Sequence, residues 1–235
     1  GIGQTWSTPT IARVNVGSAT QNSQKLVIIF GGGYDPVQDT TVFNSEDSVG
    51  NRIFMVDAVR GSVLWSVGLS GADLNLERMT HSIPGGITVL DTNADNYADR
   101  MYAGDMAAQL WRFDIVNGNA RGSLVTGGVM ASLGTKDDAS PVEANARRFY
   151  SRPDEAALQR QGAPPILNIA IGSGYRGHPL NTGTQDRFYS IRDLQPLGIR
   201  TDYSEATIIH DGDLHDITEN TAAAVPANSP GWRLF

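Results

Sequence analysis

The residues best equipped for chemistry lie between positions 91 and 99. Asp91, Asn93, Asp95 and Asp99 put oxygen-bearing side chains at loop positions one, three, five and nine, and Tyr97 at position seven can offer its backbone carbonyl. That is the ligand order at the start of an EF-hand calcium loop, where a tight turn aims alternate oxygens at one hard cation. Asn96 stands where the EF-hand has an invariant Gly, and Asn is among the residues that best tolerate positive φ. The twelfth position is Tyr102 rather than a bidentate Glu, so the loop is read as a shortened one closed by Asp99. The competing reading is an Asx-rich solvated turn, since Asp and Asn favour turns for local reasons. The fourth oxygen at position nine, together with the apolar flanks, favours calcium.

Those flanks must position the loop. Ile87, Thr88, Val89 and Leu90 precede it, and Arg100, Met101, Tyr102 and Ala103 follow it, both β-prone runs, so the loop is expected to join two strands. The same pattern recurs three times along the chain. A Ser-x-Pro precedes each unit, at Ser7-Thr8-Pro9, Ser82-Ile83-Pro84 and Ser151-Arg152-Pro153. An apolar strand ending near Gly follows, at residues 25–34, 99–105 and 166–175. An aromatic strand ending in Asp comes next, at residues 52–57, 110–114 and 187–193. After the first unit, residues 59–67 read as a turn and a fourth strand. Four strands ending in a Gly turn and a Trp describe one propeller blade.

The fold class expected is therefore all-β: a partial β-propeller of four-stranded antiparallel blades with long inserted loops, related to quinoprotein-like propellers. Residues 1–235 are expected to form part of a single propeller domain. The units recur roughly every 70 residues, longer than the about 40–50 of a common blade. The excess is assigned to insertions at residues 35–50, 68–80, 135–148 and 152–165. In the last of these, residues 154–161 are expected to form a short helix. Residues 201–228 are expected to hold one or two more strands. Trp6, Trp65, Trp111 and Trp232 are expected in the core between blades.

Composition narrows the function classes. The chain has 235 residues, 40% hydrophobic and only 18% charged, with 26 Gly and 11 Pro, a profile of short strands and turns. The net charge of −7 and the lack of a basic run argue against nucleic acid and anionic membrane surfaces. The absence of Cys removes disulfides, thiol catalysis and Cys-zinc sites. No apolar run approaches the roughly 18 residues of a membrane span. The abrupt first and last residues suggest a fragment of a longer, exported chain.

The motifs carry a resemblance. The run from Asp91 to Ile115, with Trp6-Ser7-Thr8-Pro9-Thr10, Phe30-Gly31-Gly32-Gly33-Tyr34, residues 50–65, residues 172–178 and residues 213–218, resembles the signature of PilY/PilC-type type IV pilus biogenesis factors. The match runs in family order along nearly the whole chain. It implies the C-terminal propeller of a pilus tip-associated adhesin, exported to the periplasm, outer membrane and cell surface. The implied role is non-catalytic: calcium-dependent regulation of pilus extension and retraction, hence twitching motility, and surface attachment. The implied partners are the pilus machinery, minor pilins and pilus tip, and host or abiotic surfaces. The family's calcium loop maps onto Asp91, Asn93, Asp95, Tyr97 (backbone) and Asp99. Asn93 departs from the Asp often found at position three, which leaves three carboxylates and a weaker pull on the ion. The family's N-terminal adhesive region has no counterpart in this sequence.

Other candidates are weaker. Asp211, Asp213 and Asp216 with His210 and His215 fit neither a zinc pattern nor a calcium loop and read as a solvated turn. Gly172-x-Gly174-x-x-Gly177 formally matches a dinucleotide fingerprint, but His178-Pro179 interrupts any following helix. Gly31-Gly32-Gly33 lacks the Lys of a phosphate loop, and Ser82 beside His81 lacks a placed acid. The rival from another class is a quinoprotein oxidoreductase binding pyrroloquinoline quinone with calcium, since residues 56–65 also suit such propellers. A catalytic calcium would sit in a central funnel, whereas these candidate ligands lie in one local loop. A purely structural propeller module is the third reading.

Overall fold

The computed structural model describes residues 1–18, 21–40, 43, 45–160 and 162–235. It contains β1 (Thr10–Ser18), β2 (Gln21–Gly31), β3 (Arg52–Asp57), β4 (Val63–Gly68), β5 (Leu74–Asn75), β6 (Thr88–Leu90), β7 (Arg100–Gly104), β8 (Gln109–Ile115), β9 (Val125–Ser132), β10 (Asp154–Arg160), β11 (Ala163–Gly172), β12 (Phe188–Asp193), β13 (Ile209–His210), β14 (His215–Asp216) and β15 (Gly231–Leu234). They form three five-stranded sheets in the orders β1-β2-β3-β4-β5, β6-β7-β8-β9-β13 and β10-β11-β12-β15-β14. The remaining regular structure among the described residues is short 3-10 turns, so the chain is all-β.

Each sheet departs from the expected four strands in one way. Its first four strands pair antiparallel, and a two-residue strand then pairs parallel on the far edge: β5 on β4, β13 on β9, β14 on β15. Strands this short carry no legible periodicity, and tertiary packing alone fixes them. A second correction concerns residues 154–161. The helix-prone Ala156, Ala157 and Leu158 lie in β10, which pairs with β11 through Ala157↔Leu167 and Leu158↔Ile166. Local helix propensity amounts to a few tenths of a kcal/mol per residue, less than the gain from joining a ladder against an apolar partner. The region expected to be an insertion is thus a hairpin, with Gly162 at φ +72 in its turn and residue 161 outside the described residues. The insertion at residues 35–50 opens with a 3-10 turn, Pro36–Asp39, and positions 41, 42 and 44 lie outside the described residues. The one at 135–148 holds the 3-10 turn Glu143–Asn145, and the one at 68–80 holds β5.

Burial shows how the sheets stack. In β3 alternate residues are buried, as on a sheet covered on one face. In β7 and β8 every residue is buried, so the middle sheet is covered on both. One core joins the first two sheets through Ile53, Met55 and Trp65 against Met101, Trp111 and Phe113. Trp65 meets Phe113 edge-on with centroids 6.4 Å apart, a favoured aromatic geometry. A second core joins the middle and third sheets through Tyr102 and Leu110 against Ile169, Ile171 and Tyr189. Trp65 and Trp111 therefore sit where expected. Trp6 does not: it is 49% exposed, stacked on Tyr34 at 4.5 Å, and Trp232 is only half-buried beside Phe188.

Two of the three Ser-x-Pro serines converge on the end of β2. Ser7 Oγ accepts from Gly31 N at the end of β2, and Ser82 Oγ accepts from Asp35 N. Threonines on the edge strands β1 and β6 tie each sheet to the next: Thr10 Oγ1 donates to the Ile87 carbonyl at 3.1 Å, and the Thr88 hydroxyl donates to the Pro153 carbonyl. The triple glycine is a close-packed strand end. A Cβ on Gly32 would stand 2.4 Å from the Gly50 carbonyl oxygen, and Gly33 lies at φ +101.

Candidate functional site

The loop of residues 91–99 closes a hairpin between β6 and β7, with Leu90 paired to Arg100. Its exit is bolted down. Asp99 N donates to the Leu90 carbonyl at 2.7 Å, Ile115 N to the Asp99 carbonyl at 2.7 Å, and Ala98 N to the Arg13 carbonyl of the neighbouring sheet at 2.8 Å. Asn117 Nδ2 holds the Ala98 carbonyl. The exposed part is organised by its own side chains. Asp91 accepts Asn93 N and Asp95 N on Oδ1 and Asn96 N on Oδ2. Asn93 Oδ1 also accepts Asp95 N, and Asp95 Oδ1 accepts Tyr97 N, each at 2.8 Å. Ala94 and Asn96 adopt positive φ of 62 and 71, the left-handed turns that let alternate side chains fold inward.

Desolvation raises the Asp91 pKa, but the N–H groups of Asn96, Ala94, Asn93 and Asp95 outweigh it and hold the carboxyl below the usual range. It is an anion at any neutral pH. Asp99 faces elsewhere: its Oδ2 caps Thr92, accepting the backbone N–H at 2.8 Å and the hydroxyl at 2.9 Å. Among the described residues no three His, Cys, Asp or Glu side chains are grouped to hold a metal ion. The donor set nonetheless fits a hard cation in kind, since Asp91, Asn93 and Asp95 gather oxygen atoms in one turn. Bound there, calcium would offset the charges of Asp91 and Asp95 and pin the turn.

Beneath the loop lies a feature that the sequence reading missed. Arg100, the residue after Asp99, is buried, with Nε donating to Asp114 at 2.7 Å. Arg112 donates from Nη1 to both oxygens of Asp193, at 2.8 and 2.7 Å, and from Nη2 to Asp114 at 3.0 Å. Tyr102 and Tyr203 hydroxyls complete the two carboxylates. Burial works against the Arg100 charge, and the oxygens of Tyr102, Asp114 and Asp193 more than restore it, leaving its pKa raised. Two cations thus balance two anions in the space between the middle and third sheets. Arg100 and Arg112 also donate to carbonyls at Pro196 and Gly198. The available signal was charge inside otherwise apolar strands, at Arg100, Arg112, Asp114 and Asp193.

The weaker motifs resolve into structural roles. Asp211 accepts from Tyr189, Arg187 and Arg233, and Asp213 accepts from His210 N. Buried Ser82 is held by Asp47, whose Oδ2 accepts Ser82 N at 2.6 Å. Asp105 is fully enclosed and takes donors from Ala107 N, Gln109 N, Gln109 Nε2 and Trp111 Nε1, which locks the β7–β8 turn. Burial pushes its pKa up to about 6, against the pull of those four donors. Among the described residues no helix is long and apolar enough to cross a membrane.

No family model matches the chain. It is 26% identical over 213 residues to the type IV pilus biogenesis factor PilY1 of Pseudomonas aeruginosa strains PAO1 and PAK, covering 89% of this chain and 15% of those proteins. PilY1 of strain UCBPP-PA14 is also 26% identical, over 174 residues, 71% of this chain and 13% of that protein. The crystal structure of the P. aeruginosa PilY1 C-terminal domain superposes with a TM-score of 0.63 at 18% identity, over 99% of this chain and 51% of that one. The chain thus spans about half of the solved domain and a small part of the whole relatives.

Proposed function

We propose, from the premise that this chain is a relative of the PilY1-type pilus biogenesis factors, that it forms part of a β-propeller whose calcium loop tunes type IV pilus extension and retraction. In this reading the three sheets are blades, and the protein works with the pilus machinery at the cell surface, in twitching motility and surface attachment, without catalysis. The observation that carries the reading is the turn of residues 91–99. Its exit is anchored to two sheets while Asp91, Asn93 and Asp95 gather oxygens at the exposed end. A cation there would stiffen an exposed segment that leads directly into the buried Arg100 and its partner Asp114.

Asp91, Asn93, Asp95, the Tyr97 carbonyl and Asp99 are the ligands of the proposal. Asp99 has to surrender its contacts with Thr92 or serve through its other oxygen. Isothermal titration with calcium tests the site. Asp91→Ala and Asp95→Ala are expected to weaken binding by at least about tenfold, and Mg²⁺ to compete poorly because it demands a smaller octahedral shell. Equal affinity in wild type and both variants removes the site. Twitching assays on the same variants test the consequence: lost affinity with unchanged twitching makes the ion structural and ends the regulatory reading.

A further inference from the structure

The loop after β12 inverts the usual arrangement of a surface turn. Three of its backbone carbonyls face inward. Arg100 Nη1 donates to the Gln195 and Pro196 carbonyls at 3.4 and 2.5 Å, and Arg100 Nη2 and Arg112 Nη2 donate to the Gly198 carbonyl at 2.7 and 2.6 Å. Asp193 accepts Gln195 N and Asp114 accepts Arg200 N, so both ends are clamped as well. Three of its apolar side chains are turned out, Leu194 at 49%, Leu197 at 69% and Ile199 at 51% exposed, while Pro196 between them is buried.

Beside these residues lie two adjoining clefts of 290 and 390 Å³ that share Pro165, Pro196 and Leu197. The smaller is floored by Leu90, Ile166 and Leu167, and two carboxylates, Asp91 and Glu155, stand in its wall. Among the described residues no Lys or Arg forms a direct ion pair with either. Contiguous exposed apolar surface marks interaction sites. A surface already rigid, through prolines of fixed φ and buried guanidinium clamps, loses little entropy on binding.

We propose that residues 194–199 and the clefts beside them form a docking surface for an apolar peptide segment that carries a Lys or Arg next to its anchors. Leu197 and Ile199 meet the apolar anchors, and the cation sits against Glu155 and Asp91. The proposal does not require calcium, and its test is made with calcium chelated, so its fate is separate from that of the metal reading.

The probe is a fluorescein-labelled synthetic peptide of alternating Leu and Lys, compared by anisotropy with the same peptide carrying Glu for Lys. The wild-type chain is expected to bind the Lys peptide in preference. Leu197→Ser with Ile199→Ser is expected to weaken it about tenfold, and Glu155→Gln to remove most of the preference for Lys over Glu. Each substituted side chain is at least partly exposed, and unchanged thermal melting confirms that the variants stay folded. Equal binding by wild type and the double Ser variant overturns the proposal. So does sedimentation in which wild type self-associates and the double Ser variant does not, because the surface then belongs to a second copy. Equal binding of the two peptides overturns the choice of a basic partner.

Discussion

Replacing Asp193 by Asn removes one of two carboxylates from a site that holds two guanidiniums. Arg112 Nη1 sits 2.8 and 2.7 Å from its oxygens, the Tyr102 hydroxyl 2.5 Å away, and Gln195 N 2.9 Å away. The side chains of Arg100, Arg112, Asp114 and Asp193 are at most 4% exposed. Asn keeps one accepting oxygen but turns an NH₂ toward donors, and Asp114 is left alone against Arg100 and Arg112. Breaking a buried pair on one side is worth about 3–5 kcal/mol of stability. For a chain of this size each kcal/mol moves Tm by about 2–4 °C, so a fall of roughly 6–20 °C is expected. Calorimetry measures it. Adding Arg112→Met restores charge balance and is expected to recover a large part of the loss. A fall worth less than about 1 kcal/mol, the range of exposed ion pairs, would refute the reasoning: the four groups would then be solvated and the 194–199 loop held by something else.

Three further outcomes are expected. Asp105 has a folded pKa of about 6 against 3.8 for the unconstrained group, so the folded state takes up its proton first. Its ionisation therefore opposes folding above about pH 6, the penalty lifts as pH falls from 6 toward 4, and Asp105→Asn should flatten urea-melt midpoints across that window. Gly104→Ala puts a Cβ 2.7 Å from Ile171 Cδ1 and 2.8 Å from Phe149 Cβ, and denaturant unfolding should show the about 1–3 kcal/mol loss of an overpacked core. Asn93→Asp restores a fourth carboxylate and should tighten calcium binding several-fold by titration, while the ion-free loop loses the Asn93 Nδ2 bond to Asp95; unchanged affinity speaks against the loop as a ligand set.

Much of the architecture was legible because it repeats. The Gly-ended strand and the aromatic strand ending in Asp recur at the second and third strands of each sheet, where the antiparallel ladders run side by side. The strand–loop–strand setting of residues 91–99 was legible for a related reason: alternating Asx residues interrupt two apolar runs. Residues 154–160 misled because an edge strand with five of its first six residues exposed keeps no apolar alternation, so helix-forming Ala and Leu dominate the local signal. Trp6 and Trp232 misled because residue type was allowed to stand for burial. The charges of the Arg100–Asp193 network stood out inside apolar strands, but their pairing was out of reach, since nothing local tells Arg112 that its partner lies 81 positions away.

The edge strand β13 has a consequence for the order in which the molecule is made. It completes the middle sheet by pairing Ile209 with Ala131 and His210 with Ser132, yet it follows β10, β11 and β12 of the third sheet in the chain. As the polypeptide emerges from the ribosome, the first sheet can close on itself, but the middle one must wait with the outer edge of β9 unpaired until most of the third has appeared. During that interval β9 offers open N–H and C=O groups to any extended segment nearby. The late strand thus acts as a latch, binding the two later sheets into one folding unit and making premature release or cleavage after β12 more damaging than its two residues would suggest.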